Sequence, residues 1–302
     1  MADELRAGVI GAGVFGGYHA AKYAELPGVR LVGVYDTHPE RAAEVAGRHG
    51  ARGFASLDAL LAEVDVLTIA SPAVAHAEAA LAALKAGAHL YVEKPLTVDL
   101  QAADRIAAEA ARRGRVVAVG HQERVVFEAM GLLNIPERPL RLEAVRHGPP
   151  SPRSRDVSVV LDLMIHDLDL ALALTDAAPL AVEAEGEGTD GLDRVRAEVD
   201  FDDGFTCIFD ASRVAAGRHR TMKLAFPSGE VEIDFVARTF RNTTPFVLDE
   251  AFAETPAGRD SLKVSVEGFL AAVRGASPRP VVDLAEAARA LDLALAVEQA
   301  AA

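Results

Sequence analysis

The 302-residue sequence has a single cysteine, no tryptophan and far fewer basic than acidic side chains. The one cysteine, Cys207, cannot form a disulfide within the chain, which excludes a disulfide-stabilised secreted domain. Lysine and arginine number 31 against 45 aspartates and glutamates, giving a formal net charge of −14. Nucleic-acid binding requires a basic face, so we expect no nucleic-acid partner.

Long apolar runs are also missing. No uninterrupted apolar stretch approaches the roughly 18 residues that a membrane helix needs. The amino terminus lacks the basic-then-apolar pattern of a secretion signal. These absences predict a cytoplasmic protein with no membrane partner. The composition is otherwise that of an ordinary globular protein, with half of the residues apolar and a quarter charged. The length of the chain suits two domains.

A glycine-rich turn follows the first strand-like run, residues Arg6 to Ile10. The turn reads Gly11-Ala12-Gly13-Val14-Phe15-Gly16 and opens a helix-like segment. Glycines at this spacing permit a tight turn, close approach of the backbone to a pyrophosphate and close packing of helix on strand. The pattern favours a dinucleotide-binding turn over an ordinary glycine-rich turn, which is the alternative.

A second strand-like run ends in Asp36, twenty residues after Gly16. A carboxylate at this distance from the glycine turn can accept hydrogen bonds from a ribose 2′-hydroxyl and repels a 2′-phosphate. The alternative is that Asp36 caps the helix that begins near Pro39. The dinucleotide interpretation predicts NAD as the cofactor, with NADP less favoured.

Strands and helices alternate up to residue 119, which predicts a doubly wound parallel sheet of the Rossmann type over residues 1–120. Ser71-Pro72 ends one strand, and His76 lies one turn into the next helix. This loop either contacts a cofactor or is a capping turn with a surface histidine. Glu93-Lys94-Pro95 ends a later strand, at the edge where open α/β sheets bind ligands. From position alone, Lys94 is a proton donor, a counter-ion or a surface charge.

Beyond Gly120 the pattern changes to period-two runs with short turns, which predicts a largely antiparallel open sheet. The fold class is therefore α/β, with a carboxyl-terminal α+β domain over residues 121–302 for substrate binding and oligomerisation. A sheet face rich in Val, Leu and Phe predicts a homodimer or homotetramer. The proline-rich segment 148–156 contains Arg153 and Arg155, which either bind phosphate oxygens or belong to a solvated loop.

The apolar, helix-like stretch 157–174 carries Asp162 and His166 four residues apart, hence on one helix face, with Asp169 continuing the stripe. Such a pair either pins the helix or handles protons, because an aspartate can hold the tautomer of a histidine that exchanges protons near neutral pH. Asp167 and Asp169 are either partners or surface residues. The sequence assigns no role to His19 and shows no cluster of metal ligands.

The glycine turn, Ser71-Pro72 with His76, and Glu93-Lys94-Pro95 together resemble the amino-terminal half of the Gfo/Idh/MocA oxidoreductase family. The resemblance implies a nicotinamide-dependent enzyme in which Lys94 helps to bind substrate and assists proton transfer, and in which the Lys94–Pro95 bond is often cis. It further implies that His166 is the acid/base for a substrate hydroxyl, supported by Asp162. The implied cofactor contacts are Gly11, Ala12, Gly13, Val14, Phe15, Gly16, Asp36, Ser71, Pro72, His76, Glu93 and Lys94.

A narrower resemblance lies in the segments 119–124 and 151–167, which are similar to family members that oxidise UDP-N-acetylglucosamine at C3. It implies a sugar or nucleotide-sugar substrate, while the residues themselves predict NAD as the cofactor and no metal. Three alternatives stay open: a dehydrogenase of a free sugar or polyol such as an inositol, an NAD-binding sensor without turnover, and a reductase of a non-sugar carbonyl or an imine. The implied substrate contacts are Lys94, His121, Arg124, Arg153, Arg155, Asp162 and His166.

Overall fold

The computed structural model describes residues 4–151, 156–189 and 191–302. They form two compact units. The first unit comprises Met1–Gly120 and Leu262–Ala288, and the second comprises His121–Ser261 and Arg289–Ala302.

The first unit is built on six short strands separated by helices, as the alternating pattern predicts. In chain order its elements are β1 (Leu5–Ile10), α1 (Val14–Glu25), β2 (Val29–Tyr35), α2 (Pro39–Gly47), β3 (Arg52–Phe54), α3 (Leu57–Leu61), β4 (Val66–Ile69), α4 (His76–Ala86), β5 (His89–Val92), α5 (Leu100–Arg113) and β6 (Val117–Val119). The strands pair in parallel in the order β3-β2-β1-β4-β5-β6. The parallel Rossmann sheet is therefore confirmed, while β3 and α3 were missing from the sequence interpretation because both are very short.

Helix ends in this unit are set by local chemistry, and they fix where the site-bearing strands begin. The side chain of Asp99 accepts a hydrogen bond from the Ala102 N–H at 2.7 Å and starts α5. Gly87 ends α4 at φ +94°, a conformation that glycine adopts without strain. Strand β5 begins two residues later and carries the chain to Lys94.

Helix α9 (Ser261–Val273) comes from far along the chain, yet it completes the core of the first unit. Val266, Phe269 and Leu270 are buried in one cluster with strand and helix residues of that unit, Tyr91 among them. The Tyr91 hydroxyl also lies 2.9 Å from Ser265 Oγ. The sequence predicts a second domain over all of 121–302, whereas in the structure Leu262–Ala288 belongs to the first unit, because the apolar face of α9 packs in its core.

The second unit contains a seven-stranded sheet. Its strands are β7 (Arg141–His147), β8 (Pro179–Glu187), β9 (Arg194–Phe201), β10 (Thr206–Ser212), β11 (His219–Phe226), β12 (Gly229–Asp234) and β13 (Thr239–Asn242), in the order β13-β12-β11-β7-β10-β9-β8. Every pairing is antiparallel except that of β7 with β10. The predicted, largely antiparallel sheet is confirmed. The helices are α6 (Glu123–Met130), α7 (Ile165–Ala173), α8 (Pro256–Arg259) and, spanning the two units, α10 (Leu284–Ala301).

The two faces of this sheet differ sharply in polarity. On β9, Val195, Val199 and Phe201 are buried, whereas Arg194 and Arg196, which point the other way, are exposed. On β7 and β11 the leucines also lie on the buried face, whereas Arg141, Glu143 and Lys223 lie on the other face; Arg146 of β7 is the exception, a charged residue on the buried face. The expectation of an exposed face rich in Val, Leu and Phe is therefore wrong, since those residues fill the core. A homo-oligomer through the sheet stays a prediction.

Candidate active site

The glycine turn lies between β1 and α1, and its glycines are required sterically. A Cβ on Gly11, whose φ is +93°, would stand 2.5 Å from the Ala70 carbonyl oxygen, and one on Gly16 would stand 1.7 Å from the Gly11 carbonyl oxygen. Gly13 is different, since no atom lies within 4 Å of where its Cβ would be. The opening at Gly13 allows a ligand to approach the backbone closely.

The amino end of α1 is suited to an anion. Gly13 precedes the helix without providing a side-chain cap. The first N–H groups of a helix have no intrahelical acceptor, and with the helix dipole they attract negative charge. Gly13, Val14 and Phe15 are exposed at this end. The turn therefore fits the pyrophosphate of a dinucleotide.

Asp36 follows β2 and lies against the glycine turn. Its carboxylate accepts hydrogen bonds from the Ala12 N–H at 2.7 Å and from the His38 N–H at 2.8 Å. Burial alone would raise the pKa of Asp36, but these two N–H groups lower it below its ordinary value. The side chain is thus an ionised acceptor beside the turn, as recognition of a ribose hydroxyl requires.

Replacing Asp36 with alanine should lower the affinity for NAD by roughly ten- to a hundredfold, the worth of a hydrogen bond to a charged group. It should also relax discrimination against NADP, because the repelling charge is gone. Equilibrium titration of both cofactors measures this. Asp36→Asn is the matched variant, since its amide oxygen can still accept from Ala12 without the charge. If neither affinity moves in either variant, the ribose assignment is wrong.

The loops after β4 and β5 carry the next predicted cofactor contacts. Ser71 follows β4, and its buried Oγ has no hydrogen-bond partner within the described residues. His76 opens α4 and is buried, with Nδ1 2.8 Å from the Pro95 carbonyl oxygen and Nε2 2.9 Å from the Ser71 carbonyl oxygen. The surface-histidine alternative is therefore wrong. The Lys94–Pro95 bond is cis, as the family resemblance implied.

Glu93, the residue before Lys94, is 7% exposed and faces a histidine that the sequence analysis left without a role. Glu93 Oε1 lies 2.7 Å from Nε2 of His19, which is fully buried in α1. The spacing of Gly16, His19 and Tyr23 marks the buried face of α1, and that periodicity was the signal that could have placed His19 inside. Lys94 itself is half-buried.

In the second unit, Asp162 and His166 lie on a helix that is not regular. Val160–Met164 forms a single π-helical turn that runs into α7. Asp162 and His166 are both half-buried, while most of their neighbours on the helix are buried. An extra residue in a helical turn shifts the later residues around the axis, and such turns are frequent at functional sites. Asp169, which the sequence places on the same stripe, is buried.

Two buried arginines hold α7 in place. Arg124 of α6 donates to both carboxylate oxygens of Asp169, at 3.1 Å from Nε and 2.6 Å from Nη2. Arg146 of β7 donates to Asp167 at 2.8 and 2.7 Å and to Glu123 at 2.7 Å. Asp167 and Asp169 are thus partners, not surface residues. Burial alone would lower the pKa of Arg146, but the two carboxylates beside it raise the value above its ordinary range.

His121 and Arg124, two of the predicted substrate contacts, lie in this buried layer. His121 is 2% exposed, and its ring centroid is 6.4 Å from that of His166, edge to face. Its Nδ1 is 3.9 Å from Asp169 Oδ2. Since Arg124 points its guanidinium at Asp169, we assign it to positioning α7, and its contact with substrate stays a prediction. Arg153 and Arg155 lie outside the described residues.

Neither a metal site nor a membrane span is evident in the parts of the chain that the structure describes. No three His, Cys, Asp or Glu side chains in those ranges are grouped to bind a metal ion. No helix within them has the length and apolar content to cross a membrane.

Comparison with known proteins decides the family. Residues 5–121 match a family model described as an oxidoreductase family with an NAD-binding Rossmann fold, and residues 143–232 match a GFO/IDH/MocA carboxyl-terminal domain. A UDP-N-acetylglucosamine 3-dehydrogenase from Acidithiobacillus ferrooxidans is 40% identical over 291 residues, 92% of this chain and 91% of the relative. The chain belongs to the Gfo/Idh/MocA oxidoreductase family. Its first unit contains the NAD-binding Rossmann domain of that family, so the predicted cofactor is confirmed as NAD.

Solved structures agree with this family. A structure of the Acidithiobacillus ferrooxidans UDP-N-acetylglucosamine 3-dehydrogenase superposes with a TM-score of 0.90 at 39% identity, covering 98% of this chain and 97% of that chain. A more partial relative is an inositol 2-dehydrogenase from Saccharopolyspora erythraea, 33% identical over 57% of this chain and 54% of its own length. Membership of the Gfo/Idh/MocA family therefore accounts for the two-unit fold and indicates oxidoreductase chemistry.

Proposed function

We propose that this Gfo/Idh/MocA protein oxidises UDP-N-acetylglucosamine at C3, with NAD as the hydride acceptor. The observation that carries the proposal is 40% identity to a UDP-N-acetylglucosamine 3-dehydrogenase across 92% of the chain. The structure supports it, because the glycine turn and Asp36 fit a dinucleotide. Lys94, Asp162 and His166 are also all partly open to solvent in the described chain.

Oxidation of a secondary alcohol removes a hydride from the carbinol carbon and a proton from its oxygen. Bound NAD supplies the acceptor for the hydride. We assign the proton to His166, whose imidazole can accept it near neutral pH. Asp162 orients the His166 ring, and the Lys94 ammonium donates a hydrogen bond that stabilises the negative charge developing on the substrate oxygen.

Asp167, Asp169 and their arginine partners contribute indirectly. His166 is flanked on α7 by Asp167, whose carboxylate accepts two hydrogen bonds from Arg146, and the same guanidinium is held on its other side by Glu123. A helix tied by buried, hydrogen-bonded ion pairs cannot rotate without breaking them. We infer that these pairs hold the His166 ring in one orientation, which proton transfer to a defined atom requires.

The test of the proposal is a screen of NAD reduction against UDP-sugars and free polyols. We expect the highest kcat/KM with UDP-N-acetylglucosamine. Faster turnover of an inositol would favour the polyol alternative, which the partial similarity to an inositol 2-dehydrogenase motivates. NAD binding without turnover of any substrate would favour a sensor.

Arg153 and Arg155 are predicted to bind the diphosphate of the substrate. Their replacement with alanine should raise KM for the UDP-sugar by roughly ten- to a hundredfold, since each charged hydrogen bond is worth about 1.5–3 kcal/mol. Turnover of a free sugar, which has no phosphate, should hardly change. Arg138→Ala is the control, because that arginine of the second unit is 78% exposed. Equal losses on both substrates would defeat the phosphate assignment.

A further inference from the structure

We propose that two buried histidines, His19 and His76, position Lys94 by anchoring the residues on either side of it. The proposal deepens the function given above and rests on Lys94 acting in that reaction. Neither ring can touch a substrate, because His19 is 0% and His76 1% exposed. Both therefore act through the chain around Lys94, and neither is a catalytic residue.

His76 holds the chain after Lys94. Its two ring nitrogens face two backbone carbonyl oxygens, that of Pro95 at 2.8 Å and that of Ser71 at 2.9 Å. Carbonyl oxygens only accept hydrogen bonds, so the ring donates to one of them when it is neutral and to both when it is an imidazolium. One side chain thereby ties the loop after β5 to the loop after β4, and both loops lie at the carboxyl edge of the parallel sheet.

His19 holds the chain before Lys94. Its Nε2 is 2.7 Å from Glu93 Oε1, and its Nδ1 is 3.2 Å from Thr68 Oγ1. A carboxylate only accepts, so Nε2–H donates to Glu93 and Nδ1 can accept from the Thr68 hydroxyl. The Tyr23 hydroxyl lies 2.9 Å from Thr68 Oγ1 and completes this series of hydrogen bonds. Burial raises the pKa of Tyr23 well above its ordinary value, which keeps this phenol protonated and able to donate.

The carboxylate of Glu93 is also confined by Gly120. A Cβ at position 120 would stand 2.8 Å from Glu93 Oε2, so a side chain there would displace the carboxylate. The Gly120 N–H donates to the Val92 carbonyl oxygen at 2.8 Å, which keeps the glycine backbone beside the end of β5. Residues 93 and 95 are thus both fixed by buried contacts, whereas Lys94 between them is half-buried. Such fixing matters because a displacement of about 1 Å at a catalytic group can cost on the order of a hundredfold in rate.

The test is a double-mutant cycle with Lys94. His19→Leu and His76→Leu are made in the wild-type chain and in Lys94→Ala, and kcat is measured with NAD and UDP-N-acetylglucosamine. In the wild-type background each change should lower kcat by roughly ten- to a hundredfold. In the Lys94→Ala background the further fall should be small, because the group being positioned is gone. His76→Gln should recover part of the loss, since its amide can donate two hydrogen bonds.

His89→Leu is the matched control. His89 lies at the amino end of the same strand, β5, where its ring contacts the Val116 N–H at 2.9 Å and Arg115 at 3.1 Å. We expect its loss, like that of His19 or His76, to lower thermal stability, but to leave kcat unchanged in both backgrounds.

Equal fold-losses in the two backgrounds would show that His19 and His76 stabilise the fold without positioning Lys94, and would overturn the proposal. If Lys94→Ala has no measurable turnover, the double-mutant cycle cannot be completed, and amide hydrogen exchange of the single variants then tests the proposal. His76→Leu should then speed amide exchange in peptides 71–75 and 93–98 while peptides of β1 and α1 stay protected. No change, or uniform acceleration, would overturn the proposal. Failure of the proposed function would give a different result, because even the wild-type protein would then not reduce NAD with the UDP-sugar.

Discussion

Replacing Lys94 with alanine should lower kcat by about 10²- to 10³-fold, the usual effect of removing one donor that stabilises a developing oxyanion. The loss arises because the substrate oxygen would develop negative charge with no ammonium beside it. NAD binding should stay nearly unchanged, since we assign the pyrophosphate and the ribose to the glycine turn and Asp36, which are separate from this side chain. Pre-steady-state kinetics would measure the rate of the chemical step, and a direct titration would measure the affinity for NAD.

Lys85→Ala is the control for this prediction. Lys85 is an exposed lysine in the last turn of α4, within the same unit, so its removal changes the net charge equally without touching the loop after β5. Both kcat and KM should match the wild type. A Lys94→Ala enzyme that turns over at the wild-type rate would remove this lysine from the mechanism.

Replacing Arg146 with methionine should destabilise the second unit by about 3–5 kcal/mol, the typical result of removing one partner from a buried ion pair. Arg146 is 1% exposed and donates to both Asp167 and Glu123. Without the guanidinium, two carboxylates would face each other with little solvation. Urea denaturation followed by circular dichroism measures the change in the free energy of unfolding.

Two further variants make the Arg146 result specific. Arg141→Met alters the same strand on its exposed face, where the arginine is 51% exposed and pairs with Glu143, and it should cost little. Adding Asp167→Asn and Glu123→Gln to Arg146→Met should recover part of the loss, because neutral groups no longer need a counter-charge. An Arg146→Met protein as stable as the wild type would contradict a structural role for this cluster.

The parts of the site that the sequence predicts well are those set by local chemistry. The glycine turn and Asp36 follow from short-range geometry that few other residues satisfy, and the structure brings them together through the Ala12 N–H. The position of Lys94 at a strand end follows from the alternation of strands and helices. In each case the relevant neighbours lie in one βαβ unit. The number of residues between them therefore predicts which of them are close together in the folded structure.

The parts that the sequence does not predict depend on distant partners. Periodicity could not show that Asp167 and Asp169 are the buried carboxylates of α7, because their arginines come from β7 and α6. Nor could it show the π-helical turn at Val160–Met164, which depends on how the segment packs. The periodicity of α1 places His19 on the buried face, but it cannot identify Glu93, 74 residues away, as the partner of this histidine.

The membership of α9 in the first unit has a consequence for how the chain folds as it is made. A ribosome that has synthesised the first 120 residues has produced every strand of the parallel sheet but not Val266, Phe269 or Leu270, which complete its core. Tyr91 and the apolar residues around it must stay uncovered until the intervening sheet has been translated. The nucleotide-binding half therefore begins folding first but finishes late, so a nascent chain that stalls before Ser261 would present an exposed apolar surface to chaperones.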